Sequence, residues 1–239
     1  MPLEEIYQEL ESDLSFLEST TRNPKGSHAS LRTVFERSWS LLGDRERTAL
    51  ARLAFFRGGF RREAAGDVAD ATLPMLMRLV DASLITPSGD GRFHVHAVIQ
   101  QFCLEKLEHD VGSLRSTADR YREHFRTYTA ACLKNMYTSS EPEALAALSA
   151  DLPNIVSAWE QIFDADEDLD RDFPSQLVVF FDRLGFFREG VRLFERARLS
   201  VERGGRDRPT LLREIHANLA WLHYRQGRHQ NAERSALAA

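Results

Sequence analysis

Two stretches of this chain, "QLVVFFDRLGFFREGVRLFERA" (176–197) and "NLAWLHYRQGRHQNAERSALAA" (218–239), superimpose at a spacing of 42 residues. Leu177, Val178, Phe181, Gly185, Gly190, Phe194 and Ala197 fall on Leu219, Ala220, His223, Gly227, Ala232, Ala236 and Ala239. A repeat of this length constrains the fold strongly, because each unit is too small to bury its apolar face alone and must stack on a neighbour. Within each unit apolar residues recur at helical steps on both sides of a central glycine. That pattern predicts two antiparallel helices turning at Gly185 or Gly227. Small residues at Ala220, Ala232, Ala236 and Ala239 mark where the helices of the last hairpin cross, so that hairpin is expected to close only while they stay small. No polar capping helix follows, and the array reads as truncated at the C-terminus of a longer solenoid.

The remaining chain is read the same way. Leu3, Ile6, Tyr7, Leu10, Leu14 and Leu17 form one amphipathic stripe, broken by the polar "TTRNPKGSH". "SLRTVFERSWSLL" continues as a helix to Gly43, after which Asp44 can cap "RERTALARLAFF"; Gly58-Gly59 then forces a tight turn before "RREAAGDVA". Pro74 opens "LPMLMRLVDAS", with Leu76, Leu79 and Val80 on its buried face. "LIT" and "RFHVH" are β-prone runs joined by Gly89-Asp90-Gly91, which makes a hairpin. Helices resume at Ala97 and at about Leu114. Helices followed by a two-stranded wing give the order of a winged helix. The fold class is therefore mainly α: a helical tail and linker (1–28), a winged-helix subdomain (29–110), a helical connector (111–170) and α-solenoid repeats (171–239).

Composition removes several classes. A net charge of −5 with 28% charged residues argues against a protein that wraps nucleic acid with its whole surface. The two cysteines, Cys103 and Cys132, lack C-x-x-C spacing, so neither a disulfide framework nor a thiolate zinc site is indicated, and a reducing cytoplasm fits best. No apolar run approaches a membrane span, and "MPLEEIYQELESD" lacks the features of a secretory signal. No nucleophile elbow, H-E-x-x-H helix or paired base and nucleophile is present, so no catalytic residue is assigned and an enzyme is not expected.

The order of pieces resembles the regulatory half of the bacterial STAND signal-transduction ATPases, relatives of the NB-ARC switches of plant resistance and animal apoptosis proteins. "SHASLRTVFERSWSLLGDRERTALARLAFFRGGFRREAA" looks like the opening of that family's winged helix, and "LMRLVDASLITPSGDGRFHVHAVIQQF" like its continuation. "DLPNIVSAWEQIF" (151–163) resembles the first helix leading into its tetratricopeptide (TPR) array, and the offsets of the 42-residue units are similar to that repeat. In the family a histidine at the wing-to-helix junction, in a hydrophobic-His-Asp pattern, contacts the phosphate of bound ADP and locks the resting state. Val95-His96-Ala97 occupies that place without the aspartate, so the resemblance implies that His96 senses nucleotide in an intact protein. No G-x-x-x-x-G-K-[ST] loop occurs in the sequence. No cofactor is expected for this chain alone; ADP or ATP is implied only with the missing nucleotide-binding domain. The implied partners are that domain, in cis or trans, and a protein or peptide inducer on the TPR face, with no membrane involved.

Other features have plainer alternatives. Alternation along a strand would place His94 and His96 on one face, as a two-histidine metal site requires, but no third ligand is near in sequence and no metal site is assigned. The acidic run "DADEDLDRD" (164–172) has Leu169 and Ser175 where a calcium loop needs glycine and glutamate, which leaves a solvated loop. A winged helix raises DNA. Its candidate contacts are Arg78 beside Asp81 on the recognition helix, Arg92 beside Asp90 on the wing, and Arg57, Arg61 and Arg62 at the glycine turn. Ala29 to Asp110 holds eleven basic and eleven acidic residues, and no DNA-binding residue is assigned. A stand-alone winged-helix transcriptional regulator with a helical ligand or dimerisation domain is the rival reading.

Overall fold

The computed structural model describes residues 35–136, 138–164, 177–203 and 208–239. The Leu3 to Leu17 stripe, its linker and most of the acidic run lie outside them. Among the described residues the chain is mainly helical, with one two-stranded sheet. No described helix is long and apolar enough to cross a membrane.

Helical turns at 35–41 lead to Gly43 and then to α1 (Asp44–Leu53). Asp44 is not the cap expected from the sequence. Gly43 is the extended N-cap, and its N–H donates to the Glu46 carboxylate at 2.9 Å, so the acid three residues into the helix satisfies an orphan donor. The same carboxylate meets Arg78 at 2.7 Å, which ties α1 to α3. α2 (Arg62–Ala69) ends at Asp70 in the left-handed region, where Arg52 of α1 closes on its carboxylate at 2.6 Å. Arg120 makes the strongest hydrogen bonds to Asp70 and, with Arg52, holds its carboxyl below the usual carboxylate range. In α3 (Leu73–Asp81), Pro74 sits in the first turn, Leu76 and Leu79 are buried and Val80 is half-buried.

Strands β1 (Ile85–Pro87) and β2 (Phe93–Val95) pair antiparallel in the register Ile85↔Val95, Thr86↔His94, Pro87↔Phe93. Phe60, just past the glycine turn, bridges to Phe93 through two backbone hydrogen bonds of 2.8 and 2.9 Å. The hairpin is thereby stitched to the α1–α2 connection. α4 (Ala97–Glu108) follows at once, and α5 (Val111–Leu133) begins where the Asp110 carboxylate accepts the Ser113 N–H at 3.0 Å, three residues before the sequence-based start near Leu114. Phe56, Phe60, Tyr121 and Phe125 interlock edge to face and tilted, with centroids 4.8 to 6.1 Å apart; this aromatic cluster joins α5 to the segment after α1.

The connector holds α6 (Glu141–Ala150) and α7 (Leu152–Asp164). After it come α8 (Leu177–Leu184) and α9 (Phe187–Arg203), then α10 (Pro209–Arg225) and α11 (His229–Ala238). Gly185 and Gly227, 42 residues apart, sit in these two turns at φ +73° and +72°. A left-handed residue is what reverses each chain there, and glycine carries no Cβ penalty for it. In the last hairpin α10 packs along α11; Ala220 and Ala232 are half-buried, Ala236 and Ala239 are exposed, and the four line an open groove.

Candidate functional site

The junction between the β-hairpin and α4 is built by three local decisions. The Gly58-Gly59 turn brings the chain back beneath β2, the β1–β2 hairpin presents residues 92–96, and α4 starts immediately afterwards. His94 lies over the turn: a Cβ added at Gly59 would stand 2.8 Å from its Nε2 and 2.9 Å from its Nδ1. Only glycine allows this approach without displacing the ring. With Leu53, Phe56, Arg57, Gly58, Val95 and Gln100, His94 borders a small cleft. Gln100 supports one wall by donating from Nε2 to the carbonyls of Ala54 and Phe56 at 3.0 and 2.5 Å.

His96 is placed differently from His94. It has left the strand, takes an extended conformation (φ −63°, ψ 138°) as the N-cap of α4, and accepts the Gln100 N–H on its carbonyl at 2.8 Å. Its side chain makes no capping bond and is exposed. His96 lies one residue past the end of β2 at Val95. Among the described residues no three His, Cys, Asp or Glu side chains group closely enough to hold a metal ion. Ala97 is the first residue of α4 and leaves its first turn without an acid.

Behind the junction lies a buried polar network that sequence reasoning did not anticipate. Arg92 was a candidate surface cation of the hairpin; instead its side chain is 4% exposed and that of Asp151 is 7% exposed. The guanidinium grips the carboxylate with both terminal nitrogens, Nη1 to Oδ2 at 3.0 Å and Nη2 to Oδ1 at 2.7 Å. Nη2 also donates to the carbonyl of Gly59. Hydrogen bonding to Asp151 drives the Arg92 pKa up, against the opposing effect of burial. Asn154, one turn into α7, completes the assembly. Its Nδ2 donates to Gly59 O at 3.0 Å and Asp151 Oδ1 at 3.1 Å, while its Oδ1 accepts from Arg57 N at 2.8 Å and from the Tyr121 hydroxyl at 3.1 Å. The glycine turn, hairpin, α5 and α7 are thus joined by directional bonds in a place water does not reach.

The other sequence candidates fall apart in space. Arg78 pairs with Glu46, not with Asp81. Arg57, Arg61 and Arg62 are exposed around the turn. Cys103 is fully buried and its thiol is pushed up to about 12 by desolvation, so it carries no thiolate at neutral pH. Asp151 and Asn154 did stand in "DLPNIVSAWEQIF", but an acid and an amide flanking proline at a helix start read as local capping. Their real partners are 59 and 95 residues away in sequence. No family model matches the chain, and neither a curated protein nor a solved structure matches it.

Proposed function

We propose that the chain is a non-catalytic regulatory module of a STAND-type ATPase switch: a winged helix that docks on a nucleotide-binding domain, fixed to a TPR solenoid that receives a protein or peptide inducer. The observation that carries the reading is the junction itself. An exposed histidine caps the helix that follows the hairpin, and the interlocked Arg92–Asp151–Asn154 network immediately behind it leads into paired helices repeating at 42 residues. In this reading His96 contributes one hydrogen bond to the phosphate of ADP held by the partner domain, favouring the closed form. Inducer binding favours the open form, by as much as its affinity differs between the two.

The transcription-factor rival has less support. A duplex reader needs cationic side chains on its docking face, and Arg92 is buried against Asp151 while Arg78 is paired with Glu46. The deciding experiment isolates the native polypeptide or its complex and measures ADP retention for wild type and His96→Ala. Faster ADP release with unchanged folding supports the reading. The reading fails if no nucleotide-binding domain accompanies the chain or if the substitution leaves ADP release unaltered.

A further inference from the structure

The Gly185 and Gly227 turns border a common cleft of about 410 Å³, lined by Phe186, Phe187, Arg188 and Glu189 from one turn and by Gln226 and Arg228 from the other. Its walls come from two consecutive turns, so it lies within the array rather than on its last face. Arg188 stands in the first turn of α9 and Arg228 is the N-cap of α11. Both are exposed, and among the described residues neither has an acidic partner, whereas Arg225 is held by Asp182 and Arg192 by Glu160. Gln226, the C-cap of α10, turns its backbone N–H to the Leu222 carbonyl at 3.1 Å. Its side-chain Oε1 and Nε2 are shielded from solvent and have no hydrogen-bond partner. A shielded amide costs stability until both of its ends are met. Charge is also unevenly spread along the chain: residues 177–239 hold twelve arginines, no lysine and seven acids, while residues 1–176 hold nineteen basic and twenty-nine acidic residues.

We infer that this cleft binds an acidic, extended segment of a partner polypeptide, with a carboxylate on Arg188 and Arg228 and a peptide group on the Gln226 carboxamide. Charge complementarity argues the carboxylate. Two guanidiniums without acids of their own, in a region with an excess of arginine, are matched by a side chain that accepts from both. The carboxamide argues the peptide group: it presents one donor edge and one acceptor edge, which a peptide N–H and C=O answer together. A phosphate or carboxylate ion would meet Nε2 alone. Glu189, half-buried in the same lining, repels a phosphodiester backbone but can accept a peptide N–H. Phe186 and Phe187 are packed against the core, and the Arg225 guanidinium lies 5.3 Å from the Phe187 ring centroid, which leaves a nucleic-acid base little ring face to stack on. The exposed arginines reorient by rotamer changes, so entry needs no movement of the helices. The inference gives the proposed inducer a chemical class and rests on the switch reading for that identity alone.

The test titrates a labelled peptide of alternating glutamate and serine, with blocked ends, into the intact chain. Saturable one-to-one binding tighter than about 1 mM is expected, with hydrogen exchange slowed across 185–190 and 226–230. Replacing each glutamate of the peptide by glutamine, or combining Arg188→Gln with Arg228→Gln in the chain, should weaken it at least about tenfold. Both arginines are exposed, so the double variant is expected to keep its melting temperature, which circular dichroism checks. Gln226→Leu should also weaken binding while leaving the melting temperature unchanged or higher, because it removes an amide that nothing in the free chain satisfies. Arg203→Gln, an exposed cation at the opposite end of α9, should change nothing. Failure to saturate overturns the inference. So does an equal loss from Arg203→Gln, which would make the attraction diffuse, and so does a lower melting temperature with unchanged binding in Gln226→Leu, which would make that amide structural. Displacement by inorganic phosphate at the peptide's own concentration would make the cleft a simple anion site, and tighter binding of a single-stranded oligonucleotide there would make the partner a nucleic acid; either result overturns it too. The His96→Ala measurement does not involve the cleft, so a null result here leaves the nucleotide-switch reading to stand or fall by that measurement.

Discussion

Removing the Asp151 carboxylate is expected to be the most costly single polar substitution at the junction. In Asp151→Ala the Arg92 guanidinium, 4% exposed, keeps only the Gly59 carbonyl, and Asn154 Nδ2 loses one acceptor. Breaking a buried pair by deleting one partner costs about 3–5 kcal/mol, because the survivor is a desolvated and uncompensated charge. For a chain of this size that corresponds to a fall in melting temperature of roughly 6–20 °C. Arg92→Met leaves Asp151 with Asn154 as its remaining side-chain donor and should cost about as much. The double variant Arg92→Met/Asp151→Ala strands neither charge, so it should cost far less than the sum. A double-mutant cycle read by urea unfolding is expected to give a coupling of about 2–3 kcal/mol. Because the pair is shielded from ions, the coupling should hardly change with salt. The exposed pair Arg198–Glu202, by contrast, should couple by less than about 1 kcal/mol. Additive single effects, or a coupling that disappears in high salt, would refute the account of Arg92 and Asp151 as a buried interlock.

Three further outcomes follow from other contacts. His223 is buried in α10, its Nδ1 has no hydrogen-bond partner, and desolvation lowers its pKa with Arg228 adding to the effect against the opposing Glu195. The unfolded chain therefore takes up a proton first as pH falls below about 6.5, and stability present at pH 7.5 should be lost on acidification. His223→Phe, which installs the residue type found at Phe181, should flatten that part of the pH–stability curve and stabilise by about 1 kcal/mol; an unchanged slope assigns the acid sensitivity elsewhere. Gly190→Val should destabilise by about 1–3 kcal/mol in denaturant melts, since a Cβ there already stands 2.9 Å from Phe181 Cγ. Duplex DNA should bind no more tightly than the nonspecific range, roughly 10⁻⁴ to 10⁻⁶ M at physiological salt, and a sequence-selective nanomolar anisotropy titration would contradict this.

What could be read from the sequence was what neighbours decide. The hairpin of β1 and β2, the breaks at Gly58-Gly59 and the paired turns at Gly185 and Gly227 all follow from local backbone chemistry and helical periodicity. α6 was not separable from the rest of the connector, because "EPEALAALSA" buries only Ala144 and Leu148 and so carries little amphipathic signal. Asp44 was expected to cap α1, but Glu46 reaches back to the Gly43 N–H instead, with its other carboxylate oxygen on Arg78 of α3.

The candidate site divides along the same line. His96 at a strand-to-helix seam was visible because both elements announce themselves within a few residues. The role of Arg92 was not, because the sequence offered it Asp90 two residues away and hid Asp151, which is fifty-nine residues away. This alters the argument about DNA. The tally of eleven basic against eleven acidic residues over Ala29 to Asp110 treats every cation as available at the surface. Arg92 is neutralised by an acid outside that window, and Arg120, also outside it, lies on Asp70 within. The first pairing removes a cation from the exposed face and the second masks an anion, so the balance stays close to zero while its distribution changes. Of the exposed cations, Arg57, Arg61 and Arg62 sit beside the glycine turn, and Arg78 on α3 is exposed but paired with Glu46. A winged helix that reads DNA concentrates its free cations on the hairpin and on the recognition helix; here Arg57 borders the cleft beside His94 and Val95, Arg61 and Arg62 open α2, and the Arg78 charge on α3 is met by Glu46.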